Sequence, residues 1–435
     1  MRILLIATNR HQRWMTREEV RPLPLGLAYV AAYIDPDRHP LKVVDLMFAD
    51  DYLAETEQAI NDFQPQLVGI SIRNLDNGSY VNPQSALPLT QAVIRKIRSV
   101  SHAVIVCGGP AFSILPEACF AYLEPDVGLS GDAAEVFSEL ADLFEDGAVT
   151  SGDLQALEAL SGVVYRVGDE IKTAPQRAAS GLTKPPRLEG LALDRYRQAG
   201  FGVGIITKLN WYASTVSSPA DRGHDRIVRP ISDIVDEVKR LKSQFNLDRF
   251  YFIDSAFNQP LDGAKALCRS LLDTGLKIKW NSNLRPQEYD RDLMALMVRS
   301  GCQMVLIGGV RVNHPGASDE RERLQDLCAL CRQEGLAYAI TQGFGEPGET
   351  AETVQSKLAF LSEVADGGAS AHVNLLAGNR LMPGTPLTQR ALDEGVISPQ
   401  DDLLMPVFYV APEVREDLVD QLETAARSRP NWHVM

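Results

Sequence analysis

The sequence predicts an α/β protein built from two successive parallel-sheet domains. Short apolar runs of strand length alternate with segments of helical period from Ile3 to about residue 143, and the same alternation resumes at Gly202. Between them the pattern changes. Gly162 to Val167 and Glu170 to Ala174 alternate around Gly168-Asp169 as a small hairpin, and residues 175–186 read as an exposed linker. The expected units are a first domain over 1–145, a hairpin and linker over 146–200, a second domain over 201–390, and a tail over 391–435.

In the first domain, strands are expected at Ile3–Ala7, Leu41–Asp45, Leu67–Ile72, Ala103–Cys107 and Val127–Leu129. Helices are expected at Pro24–Ile34, Tyr52–Phe63, Pro88–Ser99, Pro116–Ala121 and Ala133–Leu143. This order implies a doubly wound, Rossmann-like sheet with ligands at the carboxyl ends of its strands. In the second, strands are expected at Gly202–Thr207, Arg249–Ile253, Ile278–Ser282, Met304–Ile307, Ala337–Gly343 and Ala371–Leu376, with helices between them. The acidic tail from Glu394 to Glu423 reads as a helical cap.

Composition narrows the function. The 435 residues are 45% apolar and 23% charged, ordinary for a globular enzyme with ample core. A formal charge of −14 argues against nucleic acid, whose phosphates are bound by Lys and Arg. The apolar start, Ile3 to Ala7, is too short for a signal peptide, and no run approaches the roughly 20 residues of a membrane span. A cytoplasmic protein is expected. Its six cysteines, at 107, 119, 268, 302, 328 and 331, lie scattered in apolar segments and read as small core residues. Cys328 and Cys331 fall within a helical pattern, so no metal site is expected from them.

The strand-end loops carry the chemistry. After the third strand comes Ser71-Ile72-Arg73-Asn74-Leu75-Asp76, and after the fourth Gly108-Gly109-Pro110-Ala111-Phe112-Ser113. Small residues there let a large planar ligand approach the backbone. With Pro24-Leu25-Gly26-Leu27-Ala28-Tyr29, Asp45 and Gly131-Asp132, the series resembles the cobalamin-binding half of class B radical S-adenosylmethionine proteins. The resemblance implies cobalamin contacts from Leu25, Gly26, Ser71, Arg73, Asn74, Asp76, Gly108, Gly109, Pro110, Phe112 and Gly131. The Asp-x-His-x-x-Gly motif that places histidine on cobalt in other cobalamin domains is absent, and His11 is not expected to replace it. Arg73 is expected beneath the corrin; its purely structural role would be a salt bridge to Asp76.

The second domain is similar to the partial (β/α)6 TIM-type barrel of the same family through Phe252-Ile253-Asp254, Phe257-Asn258-Gln259-Pro260, Leu284-Arg285-Pro286, Ile307-Gly308-Gly309-Val310-Arg311, Gly345-Glu346-Pro347-Gly348-Glu349-Thr350 and Met382-Pro383-Gly384-Thr385-Pro386. Its first loop departs from the family. Where Thr-Lys is followed by Cys-x3-Cys-x2-Cys, this chain has Thr207-Lys208 followed by Trp211, Thr215 and Ser218. None supplies the thiolate that a [4Fe–4S] cluster needs. The resemblance implies an S-adenosylmethionine site formed with Lys208, Trp211, Thr215, Ser218, Asn283, Arg285, Gly309, Arg311 and Gly345.

Without a cluster, reductive cleavage of S-adenosylmethionine is closed. What remains is polar transfer of a methyl or alkyl group through cobalamin to a small-molecule nucleophile, with Arg73, Asp254 and Arg311 expected at the reacting centre and an external reductant for cobalamin as partner. The substrate class suggested by the family is a natural-product intermediate. A non-radical, S-adenosylmethionine-dependent cyclisation and a non-catalytic cobalamin carrier or sensor stay open.

Overall fold

The computed structural model describes residues 1–9, 21–149, 155–177, 181–198, 202–209, 227–309, 317–365 and 370–435. His11, Trp211, Thr215, Ser218 and Arg311 lie outside the described residues.

The wholly apolar Ile3-Leu4-Leu5-Ile6-Ala7 is fully buried as strand β1, as a strand covered on both faces of a parallel sheet must be. It is followed by α1 (Leu25–Tyr33), β2 (Leu41–Asp45), α2 (Tyr52–Phe63), β3 (Leu67–Ser71), α3 (Leu87–Val100), β4 (Val104–Gly108), α4 (Pro110–Ile114), α5 (Pro116–Leu123), β5 (Val127–Leu129) and α6 (Ala134–Glu145). Asp51 starts α2 by accepting from the Leu53 and Ala54 amides at 3.1 and 3.0 Å, the usual device for the unpaired first-turn donors. After the short helix α7 (Gln155–Glu158), the expected hairpin forms as β6 (Val163–Val167) and β7 (Glu170–Thr173). It joins the first sheet, whose order is β2-β1-β3-β4-β5-β6-β7, the last two strands antiparallel. The order reverses between β1 and β3, where a doubly wound sheet opens a crevice at its carboxyl edge.

After α8 (Leu193–Gln198), the second sheet begins with β8 (Val203–Ile205). The two-residue strands β9 (Lys208–Leu209) and β10 (Ile227–Val228) pair antiparallel, so the two flanks of the 210–226 segment meet. Then follow α9 (Ile231–Phe245), β11 (Arg249–Phe252), α10 (Leu261–Asp273), β12 (Lys279–Leu284), α11 (Arg291–Arg299), β13 (Cys302–Gly308), α12 (Ala317–Gln333), β14 (Ala337–Phe344), α13 (Ala351–Ala365) and β15 (Ala371–Ala377). One set of alternate strand residues, including Val203, Phe250, Trp280, Val305, Tyr338 and Val373, packs into the core formed with these helices. The other set, including Tyr251, Asn281, Asn283, Thr341 and His372, lies on the opposite face.

The tail departs from expectation. After β16 (Asn379–Arg380) and α14 (Pro386–Asp393), which runs into it, the tail contains β17 (Phe408–Tyr409) and α15 (Leu418–Ala426), and it ends as a strand, β18 (Trp432–Val434), parallel to β15. The second sheet therefore has seven strands, in the order β18-β15-β14-β13-β12-β11-β8, where six were expected. Three residues are too few for a periodic pattern to register in sequence. No helix among the described residues is long and apolar enough to cross a membrane.

The domains share buried material. Leu23, Ala28 and Met47 of the first belong to the same apolar cluster as the helices of the second. Arg380, 8% exposed, donates from Nε to Asp76 Oδ2 at 2.8 Å and from Nη2 to the Leu403 carbonyl at 2.8 Å. The ion-pair partner of Asp76 is Arg380, so the salt bridge to Asp76 that would have been the purely structural role of Arg73 is not the one formed. A buried pair tolerates loss of one partner poorly, because the other charge is stranded. Arg380→Ala is expected to cost about 3–5 kcal/mol, read as a shift in the urea midpoint of the purified protein.

Candidate functional site

At the carboxyl edge of the first sheet, the loops after β1, β3, β4 and β5 meet. The Thr8 hydroxyl lies 3.4 Å from the Ser71 carbonyl and 3.0 Å from the Thr90 hydroxyl. The Ile72 amide donates to the Gly108 carbonyl at 2.8 Å, and the Ala111 amide to the Ile72 carbonyl at 3.1 Å. Gly109 has φ +103°, and a Cβ there would lie 2.7 Å from the Ile72 carbonyl oxygen. Only glycine gives this close backbone crossing. Gly131, also at positive φ, donates to Ser113 Oγ at 2.9 Å, while Gln176 reaches from beyond the hairpin to Ser130 Oγ at 2.9 Å. Gly109 is required by the backbone crossing at Ile72, and Gly131 lies exposed beyond the end of β5 beside Gln176.

The expected residues divide. Ser71, Arg73, Asn74, Gly108, Gly109 and Gly131 lie on this edge. Pro110 is exposed at the first turn of α4, whereas Phe112 is fully buried; a Cβ on Gly128 would lie 2.4 Å from its ring. Phe112 is thus a core residue, corrected from the expected ligand contact, because helix α4 begins where a loop was expected and turns this side chain inward. Leu25 is buried against the second domain, within reach of a Cβ on Gly204, while Gly26 is exposed with open space before it. Asp45 caps its own strand end through the Met47 amide and accepts from Tyr196 of α8.

Arg73 is solvent-accessible but lies in a dense cleft, and burial of its surroundings holds its pKa below the ordinary guanidinium value, opposed by Tyr251 of the second domain. Tyr251 in turn donates to Asn283 Oδ1 at 2.9 Å, and burial pushes its pKa up to about 12. Arg73 and Tyr251 are near enough to interact electrostatically, so the loop after β3 lies near the second sheet. The same loop runs on to Asp76 and Tyr80; the Tyr80 ring sits 3.1 Å from where a Cβ of Gly378, just after β15, would be.

In the second domain, charges at the strand ends mostly fasten loops. Asp254 accepts from the Thr207 amide at 3.3 Å and from the Thr207 hydroxyl, and lies 3.5 Å from Lys208 Nζ. Lys208 also donates to the Ala256 and Phe257 carbonyls at 2.7 and 3.1 Å, and burial lowers its pKa against the pull of Asp254. Arg229, at the far flank of the same loop, donates to the Ile206 carbonyl at 2.6 Å and to Glu237 Oε2 at 2.7 Å, with the Tyr29 hydroxyl 3.1 Å from both Glu237 oxygens. Glu349 accepts from the Gly345 and Glu346 amides, and buried Lys357 pairs with it at 2.6 Å. Gly345 is packed against Val410 and Leu418 of the tail. Asn283 bridges the Tyr251 hydroxyl to the Asp254 carbonyl, the latter at 2.7 Å.

Sequence reasoning missed several residues here. Tyr251, Thr341, Asn374 and His372, the last stacked on His433 with ring centroids 6.2 Å apart, are placed by strand register. Strict alternation along β11, β14 and β15 was the signal that marked them as facing away from the helices.

Residues 19–141 match the family model described as a B12 binding domain. The match spans most of the first sheet and its helices. The chain is similar in sequence to an uncharacterized methyltransferase of Pyrococcus horikoshii, 21% identical over 355 residues that cover 78% of this chain and 73% of that one. It is also similar to a tryptophan 2-C-methyltransferase of Streptomyces laurentii, 25% identical over 76% of this chain and 66% of that one. Its fold matches the radical S-adenosylmethionine methyltransferase TsrM of Kitasatospora setae, solved with cobalamin and a [4Fe–4S] cluster bound. The TM-score is 0.82 at 20% identity, with 100% of this chain and 93% of that chain covered.

All six cysteines are buried in the two cores. Burial raises every thiol pKa, to about 12 for Cys119, Cys268 and Cys328 and further for the others. Thiolate is the form that ligates iron and attacks disulfides. The native protein is therefore expected to show no fast reaction with dithionitrobenzoate at pH 8, and six thiols after unfolding in guanidinium. Gly109→Ala is expected to lose cobalamin on desalting, since its Cβ would push the Ile72 carbonyl out of the crevice; absorption of the desalted protein reads this directly.

Proposed function

We propose that the protein is a cobalamin- and S-adenosylmethionine-dependent transferase that moves a methyl or alkyl group by polar displacement, without an iron–sulfur cluster. The observation that carries this reading is the meeting of the loop after β3 with the strand ends of the second domain, where Asp76 accepts from Arg380 at 2.8 Å and the Tyr80 ring packs at Gly378. Two ligands bound at facing edges are held close enough to react, which is the main requirement of a displacement.

When bound, cobalamin supplies a reducible metal that exchanges an alkyl group with a sulfonium donor. In this reading the chain's own residues do the rest. Gly108, Gly109 and Gly131 leave the backbone bare for the corrin. Arg73 would hold against the corrin a cation with no lone pair to offer. Asp254 and Lys208 fix the entry to the 210–226 segment, and Arg285 stands as a cation for the methionyl carboxylate. Cytoplasmic location and a small-molecule acceptor belong to the same proposal, with methyl transfer suggested by the relatives named as methyltransferases. The absence of a cluster is supported by the chain's cysteines, none of which lies between residues 205 and 226 and all of which are buried.

The test incubates the protein with reduced cobalamin and methyl-labelled S-adenosylmethionine after anaerobic treatment with iron and sulfide. Label on the corrinoid, production of S-adenosylhomocysteine and no bound iron are expected. Formation of 5′-deoxyadenosine, or about four irons per chain in one cubane, overturns the reading. Corrinoid binding with no turnover of S-adenosylmethionine favours a carrier or sensor instead.

A further inference from the structure

Asn258 is fully buried just after β11, and its side chain serves one short stretch of backbone. Its Oδ1 accepts from the Arg285 amide at 3.0 Å, and its Nδ2 donates to the Arg285 carbonyl at 2.9 Å, to the Gln287 carbonyl at 2.5 Å and to the Glu288 carbonyl at 3.3 Å. Both backbone polar groups of one residue are thus gripped by a single amide, and the turn that follows is held at Glu288 with φ +52°. The residue gripped is an arginine at the end of β12. Its guanidinium lies across the end of the neighbouring strand, where a Cβ on Gly308 would be 3.2 Å from Nη1. Burial alone displaces its pKa, downward, and no carboxylate among the described residues answers it.

Arg285 is half-buried, and it differs from the buried cations of the strand ends. Arg380 has Asp76, Arg229 has Glu237, Lys208 has Asp254 and Lys357 has Glu349. A guanidinium taken out of water without an anion is unfavourable, and its fork of donors matches a carboxylate in two-point geometry. Fixing the backbone at Cα shortens the flexible reach of the side chain to its own rotamers, which lowers the entropy lost when an anion is captured.

We infer that Asn258 is the positioning residue of a carboxylate receptor whose binding group is Arg285. This deepens the proposed transferase reading and rests on it for the identity of the ligand: the carboxylate belongs either to S-adenosylmethionine or to the alkyl acceptor. The receptor is assembled from three adjacent strand ends, with Asn258 following β11, Arg285 following β12 and Gly308 ending β13.

The test compares S-adenosylhomocysteine with its decarboxylated analogue by calorimetry on the full chain loaded with cobalamin. If the methionyl carboxylate is the occupant, wild type favours S-adenosylhomocysteine. Arg285→Lys and Asn258→Ala then each erode that preference by about 10- to 100-fold, the range for hydrogen bonds to a charged group, leaving affinity for the decarboxylated probe within about 2-fold. If the acceptor carries the carboxylate, that preference is untouched, and sodium propionate shifts the Arg285 ¹⁵Nε signal in protein already saturated with S-adenosylhomocysteine, a shift abolished by Asn258→Ala. Equal weakening of both adenosyl probes by Asn258→Ala means a merely structural role and overturns the inference, as does failure of both carboxylate responses in wild type. Should Asn258→Ala not fold, Asn258→Ser, which keeps a short acceptor, is measured in the same way. A wild type that binds neither adenosyl probe but answers propionate at Arg285 removes the S-adenosylmethionine reading and leaves the receptor standing.

Discussion

Two buried ionic contacts decide how the two parallel sheets face each other. Asp76 meets Arg380 across 304 positions of chain, and Glu237 receives Arg229 and the Tyr29 hydroxyl, the latter 208 positions away. Apolar packing between the domains is broad but weakly directional, since one buried leucine contact resembles another. A charge removed from water is different, because it is tolerated only where its particular partner stands. The Arg380 guanidinium adds bonds to the Leu381 and Leu403 carbonyls, so slight sliding of the first domain would leave donors and acceptors unpaired together. Arg229 extends the same constraint to the site, since its bond to the Ile206 carbonyl ties domain orientation to the flank of the 210–226 segment.

Most of the architecture is legible in sequence because it is local. The continuous apolar run at Ile3–Ala7, the Asp51 cap and the Leu-rich helical periods each announce an element within a dozen residues. The glycines of the first domain are legible for a similar reason: a Gly-Gly directly after an apolar strand has few uses, and Gly109 takes the positive φ that such a use requires. What sequence hides is pairing at a distance. Asp76 stands three residues from Arg73, and local reasoning joins them, yet its partner is Arg380. Phe112 follows the same Gly-Gly and reads as a loop residue, but Pro110 starts a helix that turns it into the core. Trp432–Val434 gives no periodic signal and becomes a strand only because β15 offers an open edge.

The candidate site was legible in its loops rather than in its contacts. Asp254 is placed at a strand end, as the sequence implies, but its carboxylate anchors Thr207 and faces Lys208. A carboxylate tied by three contacts to two successive residues is a support for a loop before it is anything else. Asn258 shows the converse. Nothing in Phe-Asn-Gln-Pro distinguishes this amide from any turn asparagine, and its importance appears only when its four bonds are seen to converge on Arg285 and the turn after it.

The charge arrangement at the second sheet's edge completes the physical account. The chain carries a net charge of −14, so an arginine without a carboxylate is not a consequence of scarce acids. Lys208, Arg229, Lys357 and Arg380 each have one, and each fastens a loop or a domain contact. Neutralised pairs of this kind contribute little field at a distance, because the two charges cancel within a few ångströms. Among the described residues no carboxylate cancels Arg285, and it sits where water is partly excluded and Coulomb attraction is stronger than in bulk solvent. The field felt by a ligand approaching these strand ends is therefore shaped by a cation that no described carboxylate neutralises, and held in register by an amide that bears no charge.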